Sequence, residues 1–359
     1  MFHAVGITHP GVFYYGARRM GRDFPDRWVV FRASALGDVA LITGALAWWH
    51  KSRELRFTVV TRSALAPLLA GHPAVDEIIA ITQDEIDGHA WWRKSRRIAA
   101  ECAGMGFIDL HRSLRSLALT LRWDGPVRAY PKFGLTRRLY NIMPLGLLER
   151  RLVALNVPQR YALALDSAPP PPSEVRPVIH LSELETASAR QHLAHIGLTR
   201  PFVALHPFAT HPDKAWPMGY WLSLIPLIER QGLDWIIVGK NPDHLEALDD
   251  PRNLTAKTAL RETCALIAQA SALITADSGP MHLATAVGTP VVALFGPTSQ
   301  AWGFFPSGPY DTVLEQRLSC RPCSLHGDTR CKRGRECLTA IEPEEVATRL
   351  FETLERAGH

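Results

Sequence analysis

Three stretches of this chain set reactive side chains at the ends of apolar runs. Asp38 stands in Arg32-Ala-Ser-Ala-Leu-Gly-Asp38, after the buried-strand pattern Trp28-Val-Val-Phe31 and at the start of a helical stretch from Val39 to Lys51. A carboxylate there can act as a general base, or it can serve only as a helix-terminal residue stabilised by the dipole. Lys214 lies in His206-Pro-Phe-Ala-Thr210-His-Pro-Asp-Lys214-Ala-Trp-Pro217, with the Thr210 hydroxyl four residues before it. Such a lysine binds phosphate as a point charge, or is a solvated loop residue. The third stretch runs from Thr275 to Ser299 and reads as strand, turn, helix, strand. Small residues at Asp277-Ser278-Gly279-Pro280 leave the N–H groups of a helix start open to an anion such as a diphosphate. An ordinary βαβ crossover with turn Gly and Pro fits the same spacing. His282 follows on the first helical turn, facing either cleft or sheet, and Asn241 in Val238-Gly-Lys-Asn241-Pro-Asp-His244 can hold a ribose or be plain turn chemistry.

These loops need strands and helices to present them. Besides Trp28 to Phe31, the first half offers strands at Phe57 to Thr61, Glu77 to Ile81 and Phe107 to Leu110, with helices around Ala64 to Leu69 and Trp91 to Ala103. The second half repeats the alternation: strands at Phe202 to His206, Trp235 to Val238 and Val291 to Phe295, helices at Tyr220 to Gln231, Thr263 to Ala270 and Pro343 to Ala357. Alternation of this kind predicts parallel sheets with crossover helices, and 359 residues suggest two domains. The proline run Pro169 to Pro172 cannot continue a helix and marks the boundary. The expected organisation is an N-terminal extension (1–26), a first domain (27–167), a linker (168–177), a second domain (178–342) and a C-terminal helix (343–359).

A hydrophobic fraction of 47% with 21% charged residues is that of a soluble globular chain, and the net charge of +5 is too mild to argue for nucleic acid. No apolar run is long enough to cross a bilayer, and Met1 to Asp23 lack a secretory apolar segment, so a cytoplasmic protein is expected. Phe13, Tyr14 and Tyr15 beside Arg18, Arg19 and Arg22 can touch a membrane surface or form a loosely docked arm. Cys102 and Cys264 read as small buried residues. Cys320, Cys323, Cys331 and Cys337 form a compact group, which in a cytosolic chain reads as a metal knuckle holding zinc or iron in a structural role. Free thiols are the alternative.

Together the motifs resemble glycosyltransferase family nine, the lipopolysaccharide heptosyltransferases. They occur in the family's order: Arg32-Ala-Ser-Ala-Leu-Gly-Asp38-Val, Ala66 to Asp76, Ile108-Asp-Leu-His-Arg-Ser-Leu-Arg-Ser116, Leu205-His-Pro, Asp213-Lys-Ala-Trp-Pro217, and Asp277-Ser-Gly-Pro-Met-His-Leu-Ala284 through Phe295-Gly-Pro-Thr298. The resemblance spans Trp28 to Val346. It implies the α/β GT-B arrangement, two Rossmann-like doubly wound domains facing a central cleft. It implies Asp38 as the general base of an inverting sugar transfer, and Thr210 and Lys214 as residues that hold the donor diphosphate. The backbone from Ser278 through Gly279 to Pro280 meets the leaving group, and Asp277, His282 and Asn241 are further donor-site positions. The implied donor is a nucleotide-diphosphate sugar, ADP-heptose first. The implied acceptor is a lipid-linked glycan such as the lipopolysaccharide inner core, at the cytoplasmic face of the inner membrane, with no catalytic metal and no nucleic acid.

Autotransporter heptosyltransferases, which the chain resembles in its late cysteines, carry a four-cysteine iron site. Phe208, where the family often has glycine, and Asn241, where an acidic residue can meet the ribose, depart from the pattern on the donor side. Another donor or a protein acceptor therefore stays open, as does a binder that has lost catalysis. A metal knuckle presenting Arg321, Lys332, Arg333 and Arg335 to nucleic acid is an alternative from another class, but it leaves Asp38 and Lys214 without a task.

Overall fold

The computed structural model describes residues 25–143, 145–240, 248–325, 327 and 331–358. The expected extension lies almost wholly outside the described residues, as does Asn241.

In the first half, β1 (Arg27–Phe31), α1 (Leu36–Arg53), β2 (Arg56–Arg62), β3 (Val75–Ile81), α2 (Gln83–Ile86), α3 (Gly88–Glu101), β4 (Gly106–Asp109), α4 (Leu114–Thr120) and β5 (Val127–Ala129) alternate. Four further helices follow, α5 (Gly134–Ile142), α6 (Gly146–Val153), α7 (Val157–Ala162) and α8 (Glu183–His195). The five strands form one parallel sheet in the order β3-β2-β1-β4-β5. The second half holds β6 (Phe202–His206), α9 (Met218–Glu229), β7 (Asp234–Ile237), α10 (Leu260–Ile267), β8 (Ala272–Ala276), α11 (Gly279–Val287), β9 (Val291–Phe295), β10 (Thr312–Glu315), α12 (Glu336–Thr339) and α13 (Pro343–Ala357). Its five strands are also parallel, in the order β10-β9-β8-β6-β7. Both sheets are doubly wound, and in each the order reverses beside the first strand of the half. Ligands bind at such switch points, outside the carboxyl ends of the strands.

Buried strands in such sheets need apolar residues on both faces. Val29, Val30 and Phe31 of β1, and all of β6, β8 and β9, are buried. The helix α1 is buried from Val39 through Leu46, because it lies between the first sheet and α11 of the second half. The chain downstream of the prolines is pinned to it. Val178 N donates to Thr43 Oγ1 (2.9 Å), Ile179 N donates to the Ala286 carbonyl (2.8 Å), and a Cβ on Gly44 would collide with the Val175 carbonyl. The proline run itself accepts a bond from Gln159 at Pro170 (2.9 Å) and ends in the short turn Pro172–Val175.

Several elements differ from the sequence expectation. Ala64 to Leu69 forms only a 3-10 turn, Ala66–Leu69, since Pro67 and the nearby Gly71 and Pro73 stop a longer helix. The helix α10 starts three residues before Thr263, where Glu262 reaches back to the Ala259 N–H (3.3 Å). Val291 to Phe295 is not the last strand, because β10 pairs beside it.

Candidate functional site

Asp38 occupies the first turn of α1, where one carboxylate oxygen accepts the Ala35 N–H (3.1 Å). The other oxygen forms an ion pair with Arg32 and accepts the Tyr161 hydroxyl (2.9 Å). Arg32 also donates to the Leu110 carbonyl and lies 5.7 Å from the Tyr161 ring centre. Burial works against charge on Asp38, but the Arg32 charge and the hydrogen bonds from Arg32, Ala35 and Tyr161 outweigh it and hold the carboxyl below its usual range. Asp38 is therefore a fixed, ionised acceptor at neutral pH. Further cations crowd the same space. Burial lowers Lys132 and Arg137, with Arg32 adding to both shifts, and burial brings His111 down to about 4. Among the described residues, His111 Nδ1 is buried without a hydrogen-bond partner. Asp109 positions this group through an Asx turn, accepting the N–H of His111 (2.9 Å) and Arg112 (2.7 Å).

Across from it, β6 and β8 deliver the second set. Lys214 Nζ pairs with Asp277 Oδ2 at 2.7 Å, and Thr298 Oγ1 donates to the same oxygen at 2.7 Å. Ser278 caps the start of α11 in extended geometry, and its hydroxyl lies 3.0 Å from Thr275 Oγ1 and 3.3 Å from His206 Nδ1. Burial holds His206 down to about 4, so it is neutral. Thr210 is exposed in the loop before Lys214, apart from the partly buried Lys214–Asp277 pair. Phe208 fills the space a Cβ on Gly239 would need and packs edge-on to His206, 5.6 Å between ring centres.

The two sets meet where α1 and α11 begin. A Cβ on Gly37 would lie 2.6 Å from His282 Cδ2, and one on Gly279 would lie 2.8 Å from Leu36 Cδ2. Glycine at both positions lets the two helix starts approach. The structure turns His282 toward α1. Burial lowers it to about 4, Asp277 and then Asp38 oppose that shift, and its Nδ1 is buried without a partner among the described residues. It is a neutral imidazole with an unused polar atom between the two carboxylates.

The cysteine loop serves the second set. Cys331 N donates to Asp213 (3.0 Å), Arg335 donates to the carbonyls of Pro212 (3.1 Å) and Ala215 (3.0 Å), and a Cβ on Gly327 would strike the Lys214 side chain. Arg321 is spent on the carbonyls of Gly296, Gln316 and Thr298 and on Glu315. Arg321 and Arg335 thus brace the fold instead of forming the nucleic-acid surface raised as an alternative. Among the described residues, none of the four cysteines joins another in a disulfide. Burial, and then the other three thiols, push Cys337 up to about 11 against the opposing charge of Arg321. Among the described residues, no group of three or more His, Cys, Asp or Glu is placed to hold a metal ion. Cys102 and Cys264 are buried, as expected, and burial raises them to about 11 and about 12.

Sequence reasoning named Asp38, Lys214, Asp277, Ser278 and His282, and the structure gathers them. It missed Arg32, His111, Lys132, Arg137, Tyr161 and Thr298 as site residues. Arg32, His111 and Thr298 stood inside noted motifs. Tyr161 gave no signal, because it joins the site from a helix 123 residues after Asp38.

A model of glycosyltransferase family 9 (heptosyltransferase) matches residues 149–332, half of the chain. The chain belongs to that family. Lipopolysaccharide heptosyltransferase 2 of Salmonella typhimurium is 29% identical over 224 residues, covering 59% of this chain and 63% of that protein. The match thus spans less than two thirds of that relative. Lipopolysaccharide heptosyltransferase 1 of Pseudomonas aeruginosa is 26% identical, with 90% and 97% covered. Among solved structures, the family 9 glycosyl transferase from Veillonella parvula superposes with a TM-score of 0.74 at 22% identity, covering 94% of this chain and 99% of that one. E. coli ADP-heptose lps heptosyltransferase II superposes at 0.69 and 22% identity, covering 93% and 100%. The iron-containing dodecameric glycosyltransferase TibC of enterotoxigenic E. coli superposes at 0.58 and 16% identity, covering 94% and 77%. These likenesses show the GT-B fold.

Proposed function

We propose that the chain transfers a heptose from ADP-heptose to a lipid-linked core glycan of lipopolysaccharide, inverting the anomeric centre. One observation carries this reading: an ionised, triply held Asp38 faces a partly buried Lys214–Asp277 pair where the starts of α1 and α11 touch. The names of the curated relatives support it.

Asp38 accepts the proton of an acceptor hydroxyl as that oxygen bonds to the anomeric carbon. The bond from that carbon to the diphosphate oxygen breaks on the opposite face. Its low pKa makes Asp38 a weak base toward a free alcohol, so the proton moves as the new bond forms. Charge then grows on the leaving diphosphate. Lys214 gives one of its three N–H donors to Asp277, which leaves two for phosphate oxygens. The Gly279 N–H at the α11 start adds the helix dipole. Arg32, Lys132 and Arg137 around a single base favour an acceptor bearing its own negative charge.

A turnover panel with ADP-heptose and with other ADP-, UDP- and GDP-linked sugars tests the donor. Transfer from ADP-heptose alone, to an acidic core acceptor, is the expected result; efficient transfer from a UDP- or GDP-sugar overturns the donor assignment.

The reading includes the cysteine loop. Four thiols suit a closed zinc or iron site, and the electrostatic effect of Cys320, Cys323 and Cys331 on Cys337 supports their lying in one region. Ligation requires them to draw closer than they lie here. A structural metal predicts one equivalent in elemental analysis and a lower melting temperature with chelator. A metal-free protein indifferent to chelator would remove the metal from the proposal.

A further inference from the structure

Apart from Lys132 and Arg137, which crowd the Asp38 site, one basic stretch of the first half has no task in the proposed reaction. Residues 111–153 hold nine Arg or Lys against two acids, Asp124 and Glu149, a net +7 in a chain whose total is +5. All the excess positive charge is here. Large apolar side chains in the same stretch face solvent. On α5, Leu135, Leu139 and Ile142 are 74%, 40% and 75% exposed at i, i+4 and i+7, one side of a helix. On α4, Leu114 and Leu117, with Leu121 just past its end, repeat the pattern at 85%, 46% and 71%. Leu145 and Leu147 continue it into α6.

The opposite sides of α5 and α6 are anchored, since Tyr140 and Leu152 pack with Trp302 of the second half. These helices have an inner apolar face that builds the fold and an outer one that, among the described residues, nothing covers. Exposed Arg138 and Arg150 lie among the outward leucines. Beside α4, Arg122 stacks 4.5 Å over the half-exposed ring of Trp92. The helices α4 and α5 also leave the sheet from the same edge. They follow the adjacent parallel strands β4 and β5, and Lys132 before α5 donates to the Arg112 carbonyl before α4 (3.2 Å). That is the edge where Asp38 stands.

We propose that the face formed by α4, α5 and α6 docks the protein onto an anionic lipid surface. The leucines enter the acyl boundary while the arginines meet headgroup phosphates, as interfacial amphipathic helices do. Charge selects this occupant. A second copy presenting the same face would set its exposed arginines, Arg138 and Arg150 among them, against their like, and a nucleic acid would meet the arginines but leave the leucines in water. The inference deepens the proposed lipid-linked acceptor, because docking there sets the edge bearing Asp38 at the surface where such an acceptor lies.

The test is read without donor or acceptor, so it stands apart from that reading. The full chain is floated with vesicles of equal parts phosphatidylethanolamine and phosphatidylglycerol, and with phosphatidylcholine alone. The native chain should bind the anionic vesicles, less at high salt, and leave the neutral ones. Leu135→Gln with Leu139→Gln and Ile142→Gln should weaken binding about tenfold or more, and so should Arg138→Glu with Arg150→Glu. If melting curves show that the leucine variant fails to fold, the arginine pair decides. Turnover on a water-soluble acceptor should be unchanged in the arginine pair, so a failed donor assignment and a failed membrane face give different results. Native protein that ignores anionic vesicles, or variants that bind as well as native, would overturn the proposal. So would a leucine variant whose only change is dissociation of an oligomer.

Discussion

The two walls of the cleft are built on different principles. The wall around Asp38 is gathered from the ends of β1 and β4, the segment after β5 and the helix α7, and sets several cations around one carboxylate. The wall around Lys214 comes from the loops after three neighbouring strands, β6, β8 and β9, and its charges are matched one to one by Lys214 and Asp277, with Thr298 on the same oxygen. The unbalanced wall keeps unspent positive charge for a ligand, whereas the balanced wall must share its lysine with one. The difference assigns acceptor chemistry to the first and leaving-group chemistry to the second.

Exchange of the base should separate the walls most sharply. With Asp38→Asn, which keeps the side-chain shape, transfer should fall about a hundred- to ten-thousand-fold, while ADP binding measured by calorimetry stays near native. Transfer at the native rate would remove Asp38 from the mechanism. Lys214→Ala should lower ADP affinity about thirtyfold, the worth of one hydrogen bond to a charged group. Equal ADP binding in both variants would erase the contrast. Smaller still, Tyr161→Phe should cost about threefold to tenfold in kcat and move the acidic limb of the pH–rate profile upward. The lost hydrogen bond is one that holds the Asp38 carboxyl low; an unmoved limb would mean that Tyr161 only packs.

The last expected effect tests both walls together. His111 on one side and His206 and His282 on the other are buried and depressed to about 4, and His72 beneath the first sheet shares the property. Their folded values lie below the unfolded value of 6.5, so the unfolded chain binds more protons between the two. Stability should be full above about pH 6.5 and decline as pH falls toward about 4. Melting temperatures across that window check the sign, and flat values would show that these rings are not buried neutral in solution.

Much of the fold was legible because its central strands are short apolar runs bounded by turn residues, as at Phe202–His206 and Val291–Phe295. The stretch after β4 was not. β5 has only three residues, two of them exposed at the sheet edge, so it carries no alternation. On α5 the leucines face outward, so a periodicity that elsewhere marks a core side points to no core here. β10 was missed for a related reason: one of its four residues is buried.

The sequence by itself determined the pieces whose geometry is local: a carboxylate on the first turn after a strand, a lysine in a loop, and a small-residue turn opening a helix. Hydrogen bonds between residues a few positions apart write such features into neighbouring residue types. Only the tertiary structure decided that Arg32 and Tyr161 hold Asp38 ionised, that Lys214 pairs with Asp277, and that His282 turns toward Gly37. Those contacts join separate elements, in most cases tens of residues apart or more, and a charge acquires its partner and its pKa from the packing of the two sheets, which no local pattern encodes.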